Sequence, residues 1–175
     1  PLFDTVNTNS IDFFQIWVNL PALRKRVKPY FSMFWADQVP VINNQDSKGR
    51  MTEIIVVAGP HGSNKPPNPP PDSWASDPKS DLAMWIIKLQ SNAEWILPAT
   101  SSTTNRSLYV VNGSGIKIGT QLINARNQVE LIPDFDVTIT DNGGGTKLLL
   151  LQGEPIAEPI VKHGPFVMKI GRAHV

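Results

Sequence analysis

Short apolar runs separated by turn residues recur along most of the chain. Residues 51–58 are largely apolar up to Gly59-Pro60, which predicts a buried strand followed by a turn. Residues 135–140 alternate instead, which places Phe135, Val137 and Ile139 on one face of a strand. No stretch beyond residue 50 keeps a helical period over three turns. Strands are therefore predicted at residues 13–20, 51–58, 82–89, 95–97, 107–111, 116–118, 128–132, 135–140 and 147–151.

Two connecting segments carry their own structural signals. Asn112-Gly113 is a strong hairpin signal and predicts that residues 107–111 pair with residues 116–118. Residues 65–71 are mostly proline, which lacks an N–H donor, so we expect an extended surface connection. The alternative for this segment is a polyproline ligand that docks into an aromatic groove. Many short strands at even spacing predict an all-β sandwich or jelly roll.

Composition narrows the classes of function. Hydrophobic residues make up 41% of the 175 residues, which is enough for a buried core. The net charge of +1 argues against a nucleic-acid binder. The chain has no cysteine, which excludes a disulfide scaffold, a zinc finger and a thiol nucleophile. No apolar run reaches the length of a membrane span, so we expect a cytoplasmic protein without a membrane partner.

Four segments of the chain form a recognisable set. They are residues 14–21 (FQIWVNLP), 71–75 (PDSWA), 151–159 (LQGEPIAEP) and 163–168 (HGPFVM). Together they resemble the pirin family of the cupin superfamily, in the order and spacing typical of that family across residues 1–169. The resemblance implies a protein of two cupin domains, each a jelly-roll β-barrel. It implies that the first cupin holds iron through three His and one Glu, whereas the second usually holds no metal.

The resemblance also implies a division of the chain. Residues 1–30 are expected to be a remnant and linker from the N-terminal cupin, and residues 31–50 the inter-domain connection. Residues 51–169 are expected to form the C-terminal cupin. Residues 170–175 match a translated sequencing adapter and are expected to be a non-native tail, which removes His174 from consideration. Pro1-Leu2 resembles the segment after the family's last ligand pair, so Fe(II) is expected upstream, in the missing N-terminal cupin.

The chain lacks the residue pattern of an iron site. A non-haem iron site needs converging imidazoles and a carboxylate. The three histidines, His61, His163 and His174, are all more than ten residues apart. The places where the resemblance implies ligands offer only Glu94 and Gln128. No metal-binding, cofactor-binding or catalytic residue is therefore predicted in the chain.

Other motifs admit a functional and a structural interpretation. His61 and His163 are interpreted as loop and turn histidines rather than site residues. Glu154 and Glu158 are four residues apart, but the prolines that follow them exclude a helix that would align a carboxylate pair. The glycines of residues 113–119 resemble a dinucleotide loop, but strand residues follow, which favours a hairpin.

A basic run at residues 24–28 (RKRVK) is open to two interpretations. It could be a nuclear-import or anion-binding patch, or a solvated connection between domains. We favour the solvated connection, because the run lies where the linker is expected.

Two functions are implied for the whole protein. Some bacterial members of the family are quercetin 2,3-dioxygenases, which implies a metal-dependent enzyme acting on a flavonol-like molecule. Animal members are nuclear, iron-dependent transcription co-regulators, which implies a non-catalytic interaction protein as the alternative. In either case this chain is expected to be the non-metal structural domain, with the N-terminal cupin as its intramolecular partner. Alone, it would expose residues 13–17 as an apolar edge and would aggregate or dimerise.

Overall fold

The computed structural model describes residues 4–9 and 11–168. The predicted tail at 170–175, including His174, lies outside the described residues. The described part contains no α-helix and no helix long and apolar enough to cross a membrane. It contains 3-10 helices at Ala22–Arg24, Ala36–Gln38, Trp74–Ser76 and Pro78–Ser80. Its strands are β1 (Val41–Gln45), β2 (Met51–Ala58), β3 (Ala83–Leu89), β4 (Glu94–Leu97), β5 (Asn105–Gly113), β6 (Ile116–Ile118), β7 (Gln121–Ile123), β8 (Asn127–Glu130), β9 (Val137–Asp141), β10 (Thr146–Gly153), β11 (Val161–His163) and β12 (Phe166–Met168).

The strands form two antiparallel sheets that pack face to face. The larger sheet has the order β1-β2-β3-β10-β5-β8, and the smaller has the order β4-β9-β6-β7. β11 and β12 form a separate hairpin. One hydrophobic core contains residues from both sheets, so the predicted all-β sandwich is confirmed.

The core follows from alternation along the central strands. In β2, Ile54 and Val56 are fully buried, and in β10 Leu148 and Leu150 are fully buried. Their neighbours in sequence point to the other face of the sheet. Burying one such side chain contributes about 1.5–3 kcal/mol, so the two central strands supply much of the stability.

The predicted hairpin between residues 107–111 and 116–118 is wrong. β5 pairs with β10 and β8, whereas β6 pairs with β7 and β9 of the other sheet. Asn112 and Gly113 end β5 and pair with β10, and Ser114-Gly115 then carry the chain to the other sheet. Gly113 has φ 106° and Gly115 has φ 87°, conformations that side chains with a Cβ rarely adopt. The glycines therefore serve a crossover between the sheets and not the predicted hairpin.

The strand predicted at residues 13–20 is also absent. Phe14, Ile16 and Val18 are half-buried, and they lie against the outer face of the larger sheet at β10, β5 and β3. Phe13 and Trp17 alternate with them and are 74% and 59% exposed. The segment thus keeps the period of a strand but pairs with no neighbour. Instead of the expected apolar edge, it places an exposed apolar patch on a sheet face.

Most predicted strands differ from the observed ones at an end, and β1, β7, β11 and β12 were not predicted. β1 lies within residues 31–50, expected to be a connection, and pairs with β2 along its whole length. The larger sheet therefore begins ten residues before the range predicted for the C-terminal cupin. β9 begins at Val137, so Phe135 precedes the strand and is 63% exposed.

Candidate functional site

His61 lies in the loop after β2, as predicted, but its ring contacts two buried tryptophans of the core. Its backbone exchanges two 3.0 Å hydrogen bonds with Asn64 just after β2. The imidazole meets the Trp85 ring edge-on at a centroid distance of 4.7 Å and stacks on Trp95 at 6.3 Å. Its Nε2 atom is enclosed and has no hydrogen-bond partner. Burial lowers the pKa of His61, although a hydrogen bond with its own backbone opposes this, so the ring is neutral at pH 7.

The two described histidines do not converge. His163 is exposed in the β11–β12 hairpin. Glu94 is exposed at the start of β4, and Gln128 is exposed in β8. Within residues 4–9 and 11–168, no three His, Cys, Asp or Glu side chains lie close enough to hold a metal ion. The donors of this part of the chain therefore do not fit the iron centre that the resemblance implies.

The space between the sheets is filled by apolar side chains. Trp85 of β3 and Trp95 of β4 are 4% and 5% exposed and face each other's sheet beside His61. Ile54, Leu108 and Ile139 are fully buried in the same core. This interior resembles the packed core of a structural domain and not the polar, open site that substrate and a metal would need.

A cluster of threonines and carboxylates lies at the ends of β3, β5 and β10. The hydroxyl of Thr104 lies 2.6 Å from Asp81 Oδ2 and 3.0 Å from Glu154 Oε1. Thr100 donates to Asp81 at 2.5 Å, and Thr103 donates to Glu154 at 2.6 Å. The hydrogen bond from Thr103 is the main cause that lowers the pKa of Glu154. A lowered pKa keeps the Glu154 carboxylate ionised as an acceptor, which does not suit a general acid.

Arg106 is buried beside this cluster. It is 3% exposed, and it donates to Gln152 Oε1 at 2.9 Å and to the carbonyl of Pro98 at 2.8 Å. Burial lowers its pKa, whereas the nearby charges of Asp81 and Asp136 act in the opposite direction. Sequence reasoning missed this cluster. An arginine at an inward position of β5 after the hydroxyl-rich residues 100–104 was its only signal.

Glu154 and Glu158 do not form a carboxylate pair. Glu154 contacts the threonines, whereas Glu158 Oε2 accepts a 2.7 Å hydrogen bond from the backbone N–H of Ala22. We expected that the four-residue spacing would not place the two carboxylates side by side. Their separate hydrogen-bond partners agree with this expectation.

The four segments that carry the family resemblance meet in space. The indole of Trp74, in residues 71–75, donates to the carbonyl of Glu154 at 3.0 Å. Residues 16–18 line a groove with residues 151–153. Residues 17–20 also line a groove of about 530 Å³ with Ile160, Pro165 and Val167. The family segments thus bring residues 16–20, 151–154 and 160–167 together beside the larger sheet, which spacing along the sequence could not reveal.

The stability of the protein should fall as the pH drops from 7 to 5. In the unfolded chain the imidazole has a pKa of about 6.5. The folded pKa of His61 is lower, so the neutral ring stabilises the folded protein above the unfolded pKa. This stabilisation is lost as the pH falls through the folded pKa. Urea unfolding at several pH values measures this slope. His61→Phe should flatten it, whereas the exposed control His163→Phe should keep it. Equal slopes in all three proteins would contradict the prediction.

Comparison with known proteins finds a family model that matches half of the chain. The family model described as the Pirin C-terminal cupin domain matches residues 84–171, which are 88 of the 175 residues. A candidate quercetin 2,3-dioxygenase of Pseudomonas aeruginosa is 28% identical over 160 residues, covering 91% of this chain and 51% of that protein. A pirin-like protein of Caulobacter vibrioides is 28% identical over 162 residues, covering 89% and 51%.

A solved structure supports the same fold. The quercetin 2,3-dioxygenase from Acinetobacter baumannii superposes with a TM-score of 0.73 at 24% sequence identity. The match covers 89% of this chain and 50% of that one. The chain spans about half the length of the curated relatives it matches.

Proposed function

This chain belongs to the pirin family and contains its C-terminal cupin domain, and from that premise we propose that it is the structural half of an iron-dependent dioxygenase. The observation that carries the proposal is the filled interior, in which Trp85, Trp95 and the neutral His61 occupy the space between the sheets. A cupin that binds metal and substrate needs polar ligands and room in that place. We therefore assign the chemistry to a domain outside this chain.

The proposed substrate class is a flavonol such as quercetin. The names of the relatives from Pseudomonas aeruginosa and Acinetobacter baumannii support this class. Bound Fe(II) would supply a redox-active Lewis acid. In this proposal three His and one Glu of the N-terminal cupin hold the iron, and no residue of this chain is a ligand. The cytoplasmic location expected from the sequence stays a prediction.

The role of this half is to support the domain that carries the metal. The patch formed by Phe13 and Trp17 on the larger sheet is the surface we assign to that contact. The patch is apolar. Lys147 of β10 anchors the segment that carries the patch, because it pairs with Asp12 and its Nζ atom lies 5.2 Å from the Phe14 ring centroid. Relatives of about twice the length support a further domain as the partner.

The test uses a longer protein that contains this chain preceded by an N-terminal cupin. After loading with Fe(II), the loss of flavonol absorbance under air should be catalytic. The 175-residue chain with Fe(II) and the longer protein with its His ligands replaced serve as controls, and both should be inactive. Turnover by the 175-residue chain alone, or none by the longer protein, would refute the assignment.

A non-catalytic role is the alternative for the whole protein. The match to a pirin-like protein, whose name states no reaction, keeps it as the second candidate. In this case iron would change which partner protein is bound. A pull-down with the longer protein, with and without Fe(II), distinguishes the two functions. A partner profile that is insensitive to iron would exclude the iron-responsive version.

The 175-residue chain alone should dimerise or aggregate through the patch of Phe13 and Trp17. Contiguous exposed apolar area of this kind marks protein contacts. Light scattering should show a mass above that of a monomer, and the double variant Phe13→Ser/Trp17→Ser should lower it. Ile132→Ser, which removes an equally exposed apolar side chain elsewhere, should not. A monodisperse monomer of the unmodified chain would contradict the prediction.

A further inference from the structure

Residues 23–35 combine clustered cations with exposed apolar side chains. Leu23 is 96% exposed, Phe31 is 80% exposed and Trp35 is 66% exposed. Tyr30 and Met33 are also more than half exposed. Large apolar side chains exposed this densely are unusual on a protein surface and mark a contact. We call residues 23–35 the basic–aromatic segment.

The charge of this segment is one-sided. Arg24, Lys25, Arg26 and Lys28 are its cations, and the sequence has no acidic residue between Asp12 and Asp37. The whole chain carries only +1, so the positive charge is concentrated here. The fold adds a further cation, because Lys162 of β11 lines the same groove as Lys25. Glu158 is the neighbouring acid, and it accepts a hydrogen bond from the backbone of Ala22.

One cation in the segment has an unused donor. The Nη1 atom of Arg24 is enclosed and has no hydrogen-bond partner. An enclosed guanidinium nitrogen is costly unless an acceptor reaches it. This donor is closed off from the surface, so an anionic partner would contact the exposed cations of the segment, Arg26 and Lys28.

We propose that the basic–aromatic segment docks on the surface of an anionic phospholipid membrane. Aromatic side chains favour the headgroup level of a bilayer, and clustered Lys and Arg attract anionic headgroups. Leu23 and Met33 are exposed apolar side chains without an aromatic ring. They favour lipid over nucleic acid, because the bases of a nucleic acid stack on aromatic rings. The sequence led us to expect no membrane partner, because the shared exposure of these side chains is visible only in the fold.

Vesicle flotation with the 175-residue chain tests this proposal. Vesicles of phosphatidylcholine with phosphatidylserine should carry the chain, whereas vesicles of phosphatidylcholine alone should carry little. Raising the salt concentration should weaken binding, because headgroup attraction is screened. Arg26→Gln/Lys28→Gln should weaken binding roughly thirtyfold, given the usual contribution of each cation near an anionic surface. Phe31→Ser/Trp35→Ser should weaken it at constant charge.

The matched control is Ile132→Ser/Phe135→Ser, which removes exposed apolar side chains outside the basic–aromatic segment and should keep vesicle binding. Circular dichroism should show the same sheet content in all variants, since every substituted side chain is at the surface. Equal binding to both kinds of vesicle would overturn the proposal. So would full binding by the segment variants, or binding to single-stranded DNA in place of vesicles. These outcomes do not depend on whether the longer protein is a dioxygenase.

Discussion

Asp141→Ala should lower the free energy of unfolding by about 3–5 kcal/mol, one of the two largest effects expected in this protein. Asp141 ends β9 and is 2% exposed. Its carboxylate joins the β3–β4 turn, the crossover after β5 and the turn before β10. It accepts hydrogen bonds from the N–H groups of Asn92 (2.9 Å), Gly143 (2.8 Å) and Gly145 (3.1 Å) and from the hydroxyls of Thr146 (2.6 Å) and Ser114 (3.1 Å).

The expected loss comes from donors left without an acceptor. Three backbone N–H groups in the β3–β4 and β9–β10 turns would lose the carboxylate, and a group left unsatisfied in a buried position costs about 1–3 kcal/mol. Burial raises the pKa of Asp141, but the hydrogen bonds from Thr146 and the backbone outweigh it and lower the pKa. Ionised Asp141 therefore stabilises the protein above the unfolded pKa of about 3.9. This stabilisation is lost as the pH falls through the folded pKa of Asp141.

Urea unfolding at pH 7 measures the effect of Asp141→Ala. Asp134→Ala is the matched control, because Asp134 is exposed and its loss should change stability by less than about 0.5 kcal/mol. The loss of unfolding free energy in Asp141→Asn should lie between the losses in the two alanine variants. The asparagine keeps one acceptor oxygen but turns its amide N–H group toward the donors. If Asp141→Ala and Asp134→Ala unfold at the same urea concentration, Asp141 does not join the turns as described.

Gly113→Ala should be as damaging as Asp141→Ala or more so, with a loss of about 4 kcal/mol or failure to fold. A Cβ atom at Gly113 would lie 2.2 Å from the carbonyl oxygen of Gly145 and 2.6 Å from the Cα atom of Thr146. Both are backbone atoms at the start of β10, which pairs with β3 and β5 and cannot shift cheaply. The crossover between the sheets needs this close approach.

Gly119→Ala is the control that separates crowding from backbone strain. Gly119 also has a positive φ of 58°, but a Cβ there would meet nothing within 4 Å. This variant should therefore lose only the roughly 1–2 kcal/mol of a left-handed alanine. Thermal unfolding and yield of folded protein compare the two variants. Equal stability of Gly113→Ala and Gly119→Ala would contradict the packing at the crossover.

Local pattern was sufficient to predict most strands. β2 was predicted with its observed bounds, and β3 and β10 were predicted within one or two residues, because runs of apolar and β-branched residues between turn signals admit few other structures. The all-β class followed from the same pattern. The family resemblance rested on side chains that recur at fixed places in the sequence, so it too needed no coordinates.

The candidate sites were harder to predict, because they depend on contacts between distant residues. Asp141 was not predicted as a site residue, because its hydrogen-bond partners span residues 92–146. His61 was correctly placed in a loop, but its contact with Trp85 crosses 24 positions of sequence and could not be inferred from its neighbours. Arg106 and Asp81 lie 25 positions apart and act on each other only because β3 and β5 end side by side around β10.

The sequence by itself determined most of the strands, the all-β class and membership of the pirin family. The tertiary structure alone decided which strands pair, as shown by Asn112-Gly113, which signals a hairpin in the sequence but ends β5 and pairs with β10. It also decided that residues 13–20 lie on a sheet face instead of pairing at an edge. The physical reason is that period and turn chemistry are properties of neighbouring residues, whereas pairing depends on which apolar faces can be buried together by the whole chain.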